Sequence, residues 1–95
     1  MDKIIKKAKD FKIIPNNFKS SGAFELLNAD ENKIEIELNL IDSKEIDDYE
    51  INSIVEIFGV YEVGLIYFET KILDKKDTKL TLAMTQDYSI IQRRE

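Results

Sequence analysis

The clearest alternation of apolar and polar residues in the chain runs over residues 33–40. Isoleucine or leucine occupies every second position, and lysine, glutamate or asparagine occupies the positions between. A period of two places one row of side chains on a buried face and the other row in water. Residues 33–40 are therefore a predicted strand. A shorter apolar run at residues 23–27, followed by the polar segment 28–32, predicts a hairpin between the two strands.

Three further strands are predicted over residues 53–84. Residues 53–61 are rich in β-branched and aromatic side chains, and residues 65–73 and 79–84 alternate again. In the strand predicted over residues 65–73, Phe68 falls on the inner face and Tyr67 falls on the outer face. Polar segments separate the strands, so the pattern predicts an antiparallel meander. We therefore predict an all-β fold, a small antiparallel split β-barrel, because closure hides the edges of apolar strands.

The first 19 residues form a predicted basic extension of the barrel. Within it, Ile4, Ile5 and Ala8 share one side of a short N-terminal helical element. A short strand at residues 11–14 follows and stops at Pro15. The domain division predicted from the sequence is this extension over residues 1–19, the split barrel over residues 20–90, and the start of an inter-domain linker over residues 91–95.

The composition limits the chemistry. A chain of 95 residues is one small domain. It has no cysteine and no histidine, which excludes disulfide frameworks, thiolate–metal sites and nucleophile–histidine systems. Carboxylates, lysines, tyrosines and two arginines remain. We therefore predict a non-catalytic protein with no metal and no cofactor of its own.

The net charge of −5 disfavours DNA binding, because a duplex presents dense negative phosphates. No apolar run approaches the roughly 20 residues of a membrane span. The apolar pair Ile4 and Ile5 is too short for an export signal. The sequence therefore predicts a cytoplasmic location.

Charge is divided unevenly along the chain. Residues 1–19 hold six lysines and two aspartates, whereas residues 41–50 hold five acids and one lysine. The acidic run lacks the glycine of a calcium-binding loop, so it predicts no metal site. Two interpretations remain for these runs: they are solvated surface, or they make a dipolar surface that orients the domain against a partner.

The two arginines of the chain, Arg93 and Arg94, are adjacent at its C-terminal end, and every other cation is a lysine. Arginine is suited to bidentate contacts with phosphate or with the guanine edge. These two residues are therefore the candidate nucleotide-binding residues. The alternative is a charged tail that frays in water.

The residues from Gly64 to Leu73, then Leu80, Thr81 and Leu82, then residues 91–95 resemble a known family. The pattern of a glycine, an aromatic pair and Phe-x-Thr-x-Ile, followed by a strand and a terminal Gln-Arg-Arg, is similar to the N-terminal domain of flagellar-brake proteins of the YcgR type. The resemblance covers about residues 20–95.

This resemblance implies a split-barrel domain called PilZN, followed by a PilZ domain that binds cyclic di-GMP. Arg94 matches the first arginine of the family's Arg-x-x-x-Arg linker motif, and Arg93 matches the arginine that commonly precedes it. The second arginine of the motif falls past Glu95, and the family's Asp/Asn-x-Ser-x-x-Gly motif is absent from this sequence. The implied function is a regulatory module that couples cyclic di-GMP binding at the linker to a downstream partner protein. The flagellar motor is one such partner, and another protein is the alternative.

Two competing functions remain open. The first is a stand-alone protein–protein adaptor with no nucleotide role. The second is a degenerate flavin-binding split barrel, which is suggested by fold analogy alone. The absence of histidine and the scarcity of arginine argue against the second, because flavin phosphate sites usually need several donors.

Overall fold

The structure is a computed structural model that describes residues 2–16, 21–62 and 64–92. These described residues form one α-helix, one 3-10 helix and seven strands. In chain order they are α1 (Asp2–Lys7), β1 (Lys9–Ile14), β2 (Gly22–Ala29), β3 (Lys33–Asn39), the 3-10 helix η1 (Ser43–Asp48), β4 (Ile54–Tyr61), β5 (Gly64–Lys76), β6 (Lys79–Ala83) and β7 (Ser89–Gln92).

The strands form a small antiparallel barrel, so the predicted all-β fold class is confirmed. Six strands close a ring in the order β1, β2, β3, β6, β5 and β4, with β4 paired back to β1. The long strand β5 changes partners along its length. Its residues 64–71 pair with β4, and its residues 72–76 pair with β6. The strand β7 lies outside the ring and pairs with residues 64–67 of β5.

The core lies inside the barrel and is built from the inner faces of the strands. On β5, Ile66, Phe68 and Ile72 are at most 1% exposed, which confirms the predicted inner face. Thr70 shares this face, and its hydroxyl donates a 2.5 Å hydrogen bond to the carbonyl of Ala83. That bond joins β5 to the end of β6, where the two strands have separated.

The two ends of the barrel are closed by different elements. At one end, α1 buries Ile5 completely, and Ile4 and Ala8 pack partly against the core, as the predicted apolar side of the helix requires. At the other end, Tyr49 follows η1 and is 1% exposed. An added Cβ on Gly22 would lie 2.8 Å from the Tyr49 hydroxyl, so a glycine is needed for this close approach.

A second glycine lets an aromatic ring enter the barrel. A Cβ on Gly59 would lie 2.8 Å from Cε1 of Phe11, so the ring approaches the strand this closely because position 59 has no side chain. Strand β1 has a bulge at this level, where Asp10 adopts a φ of 53°. Phe11 is buried here and stacks on Phe24, with ring centroids 5.0 Å apart.

The structure also refines the predicted boundaries. Strand β1 pairs with both β2 and β4, so part of the N-terminal extension belongs to the barrel itself. Residues 91 and 92, predicted to begin a linker, are part of β7. Strand β5 continues to Lys76, into the segment predicted as a polar turn. Within the described residues, no helix is long and apolar enough to cross a membrane.

Candidate functional site

The strand β7 leads directly to the candidate nucleotide-binding residues. It is antiparallel to β5, with Ile91 opposite Leu65 and Gln92 opposite Gly64. Arg93 and Arg94 follow Gln92 in sequence and lie outside the described residues, so their role stays a prediction. The structure locates the residue before them, at the end of the barrel where β5 begins.

The same end of the barrel carries the helix α1. The register places Lys9, Val60, Leu65 and Ile91 in one row across β1, β4, β5 and β7. Lys9 follows α1 by two residues, so the helix and the end of β7 lie at the same level of the barrel. The helix exposes three lysines at this end, namely Lys3, Lys6 and Lys7.

The charge of this helix reaches the neighbouring β2–β3 turn. The backbone N–H groups of Asn32 and Lys33 donate to the Asp30 carboxylate at 2.8 and 3.0 Å. These hydrogen bonds lower the pKa of Asp30, and the positive charges of Lys33 and Lys6 lower it further. Lys6 on α1 is therefore close enough to this turn for its charge to act on Asp30.

A tyrosine bridges two carboxylates on the outer wall of the barrel. The Tyr67 hydroxyl lies 2.9 Å from an oxygen of Glu56 and 2.9 Å from an oxygen of Glu69. Those two glutamates are directly opposite each other on β4 and β5. A hydroxyl has one proton, so only one carboxylate accepts it at a time. Burial and the two carboxylates raise the pKa of Tyr67, which keeps the hydroxyl neutral.

Tyr67 thus lies on the outer wall of the barrel, in agreement with the predicted outer face of β5. Its ring also packs on Phe58, with centroids 4.9 Å apart. The cluster was missed in the sequence because it depends on the register between β4 and β5. Glu56 and Glu69 are thirteen positions apart, and no short motif marks the pair.

A groove of about 470 Å³ lies beside β7, between β5 and the segment that precedes β7. Among the residues that line it are Glu69 and Asp87. Carboxylates repel phosphate, so this groove is a poor site for a dinucleotide. The α1 end of the barrel carries charges of both signs, with three exposed lysines on the helix and the Asp30 carboxylate on the neighbouring turn.

The part of the chain that the structure describes contains no group of three or more acidic side chains that could hold a metal ion. Comparison with known protein families, with curated proteins and with solved structures finds no match to this chain.

Proposed function

We propose that this chain is the non-catalytic N-terminal module of a bacterial cyclic di-GMP receptor of the flagellar-brake type, acting in the cytoplasm. In this proposal a PilZ domain follows the chain, and the module transmits nucleotide binding to a downstream protein. The observation that supports it is the position of β7. The strand that immediately precedes Arg93 and Arg94 is paired with the barrel wall along residues 64–67 of β5.

Because β7 is paired with β5, the residues that follow β7 are connected directly to the barrel. A ligand that binds there can therefore move the barrel as a rigid body. Cyclic di-GMP carries two phosphates and two guanine edges, and an arginine fork fits either group. If the ligand bridges the linker and the next domain, binding favours one arrangement of the two domains over others. The barrel is then the part whose position a protein partner senses.

The lysines of α1 support the same site. Lys3, Lys6 and Lys7 lie at the barrel end where β7 ends, and they are exposed there beside acidic residues such as Asp30. In this proposal their ammonium groups make additional contacts with the phosphates of a ligand that the arginines hold. This role also agrees with the excess of lysine in residues 1–19.

The test is calorimetric titration of cyclic di-GMP into the full-length product of the gene that encodes this chain. Arg94→Ala is expected to weaken binding by one to two orders of magnitude, because a charge-assisted hydrogen bond is worth about 1.5–3 kcal/mol. Arg94→Lys is expected to restore little, since an ammonium cannot reproduce a planar fork. Arg93→Ala is expected to have the milder effect. Lys44→Ala, at the other end of the barrel, is the control and is expected to bind normally.

Melting curves of the same variants separate binding from folding. Arg94→Ala is expected to change the free energy of unfolding by no more than about 0.5 kcal/mol. If the full-length product binds no cyclic di-GMP, or if Arg94→Ala binds like the wild type, the proposal is wrong. The protein–protein adaptor with no nucleotide role is then the next candidate, ahead of the degenerate flavin-binding barrel.

A further inference from the structure

The strand β7 has a strand partner on one edge only. Its residues 89–92 pair with β5, and no other strand in the described part of the chain pairs with it. Each of the six strands of the ring has at least two neighbours. The second edge of β7 is therefore a row of backbone N–H and C=O groups to which another strand can add.

The side chains of β7 leave this edge unprotected. Ile90 is 41% exposed and Ile91 is 51% exposed, and Tyr88, just before the strand, is 37% exposed. Successive side chains point to opposite faces, so both faces of the strand carry exposed apolar area. Free edges are commonly protected by a lysine, a proline or a bulge. Residues 89–92 contain no charged residue and no proline, and their register with β5 is regular.

Charges of opposite sign flank β7 in the sequence. Asp87 is three residues before Ile90, and Arg93 is three residues after it. Asp87 lines the groove beside β7 together with Glu69, and the described residues that line this groove include no cation. Arg93 lies outside the described residues, so its place in the argument comes from the sequence alone. The side before β7 is thus negative, and the sequence after it is positive.

We propose that the free edge of β7 pairs with β7 of a second copy of this chain, antiparallel and about a two-fold axis. The axis passes beside Ile90, so the Ile90 side chains of the two copies are directly opposite each other. Three residues further along the strands, Asp87 of each copy is opposite Arg93 of the other copy. Apolar pairs and pairs of opposite charge that lie directly across two strands stabilise their association.

The flanking charges select this register. A two-fold axis beside Ile91 would place Asp87 of one copy opposite Glu95 of the other, and like charges directly opposite each other are destabilising. A second copy therefore supplies both the extended strand and the matching charges. Two four-residue strands bury much less than the roughly 1,200–2,000 Å² of stable complexes, so we expect a weak dimer whose population depends on concentration.

The experiment is sedimentation equilibrium of this chain over a range from micromolar to millimolar concentration. Ile90→Lys places two ammonium groups opposite each other at the axis, and we expect it to weaken the dimer about tenfold. Leu27→Lys is the matched control, because Leu27 is a strand residue of similar exposure on β2, at 47%. It is expected to stay within about twofold of the wild type. Melting curves verify that both variants are folded.

A charge exchange tests the register. Asp87→Arg places arginine opposite arginine, and Arg93→Asp places aspartate opposite aspartate, so each is expected to weaken the dimer by about threefold to fivefold. The double variant restores pairs of opposite charge and is expected to recover to within about twofold of the wild type. Independent effects of the two charges would instead add together in the double variant.

Three results would overturn the proposal. The first is a chain that stays monomeric at every concentration, and the second is an Ile90→Lys variant that dimerises like the wild type. The third is a double variant that is weaker than both single variants. Cyclic di-GMP is absent throughout, and the pairing of β7 does not depend on the proposed function, so failure here and failure of nucleotide binding are separate results.

Discussion

The two faces of β5 share one backbone but have different surroundings. On the inner face, Ile66, Phe68 and Ile72 are buried among the other strands. On the outer face, Tyr67 is half-buried against Phe58 and Glu69 is exposed. The two rows alternate along one strand, and they differ in burial. We therefore expect changes on the inner face to lower stability much more than changes on the outer face.

The strongest test of this comparison is Phe68→Ala. Removing a fully buried ring is expected to cost about 3–5 kcal/mol, a large part of the stability of a small domain. The neighbouring variant Tyr67→Ala is expected to cost clearly less, since its ring is half-buried on the outer face. Urea unfolding of the two variants measures the difference. Equal losses would mean that the two faces contribute equally, contrary to the structure.

The second test adds volume to the inner face. Gly59→Ala places a methyl group against the Phe11 ring, which is stacked on Phe24 and has little room to move. We expect a loss of about 1–3 kcal/mol from overpacking. Gly22→Ala is the comparison variant: its methyl group would come closer than 3.0 Å to one atom, the Tyr49 hydroxyl oxygen, whereas that of Gly59→Ala would come this close to two ring atoms of Phe11, so we expect the smaller loss at Gly22. Thermal melts in which Gly22→Ala is the more damaging change would contradict the assigned packing of Phe11.

The third test uses pH and a tyrosine inside the barrel. Burial, followed by the charges of Glu45 and Asp48, raises the pKa of Tyr49 from 10.0 to about 12. The folded state therefore favours the neutral hydroxyl. This contribution to stability is fully present below pH 10, and it is lost as the pH rises towards about 12.

Tyr49→Phe is expected to remove this alkaline loss, an effect of about 1 kcal/mol in the free energy of unfolding. Urea midpoints measured at neutral pH and above pH 10 give the comparison with the wild type. Tyr88→Phe, on the exposed segment before β7, is the surface control. An unchanged alkaline loss in Tyr49→Phe would show that its hydroxyl is not buried as the structure has it.

The smallest effect is expected from Tyr67→Phe on the outer face. The change removes a hydroxyl that bridges Glu56 and Glu69 but keeps the ring on Phe58. One of these hydrogen bonds is part-buried and the other is exposed, so we expect the loss of the hydroxyl to cost about 0.5–1 kcal/mol. A denaturation midpoint close to that of the wild type is the expected result. A loss as large as that of Phe68→Ala would show that the outer cluster holds the barrel together.

Most of the strands were predicted from the sequence because each carries its own pattern. The alternation at residues 33–40 and 65–73 depends on the two-residue period of a strand, and the structure confirms the assigned faces of both. The helix η1 was not predicted, because its acidic residues are equally typical of a loop. The candidate residues Arg93 and Arg94 were found from composition and resemblance, and they lie outside the described residues.

Local patterns thus determined most of the strands, their faces and the fold class, because each buried position of a strand favours an apolar side chain and each exposed position a polar one. The pairing order of the strands, the passage of β5 from β4 to β6 and the place of β1 in the ring were decided only by the tertiary structure. So was the Tyr67 cluster, because Glu56 and Glu69 meet only through the register of β4 against β5. Register and long-range contacts depend on how all the strands close together, and no single segment carries that information.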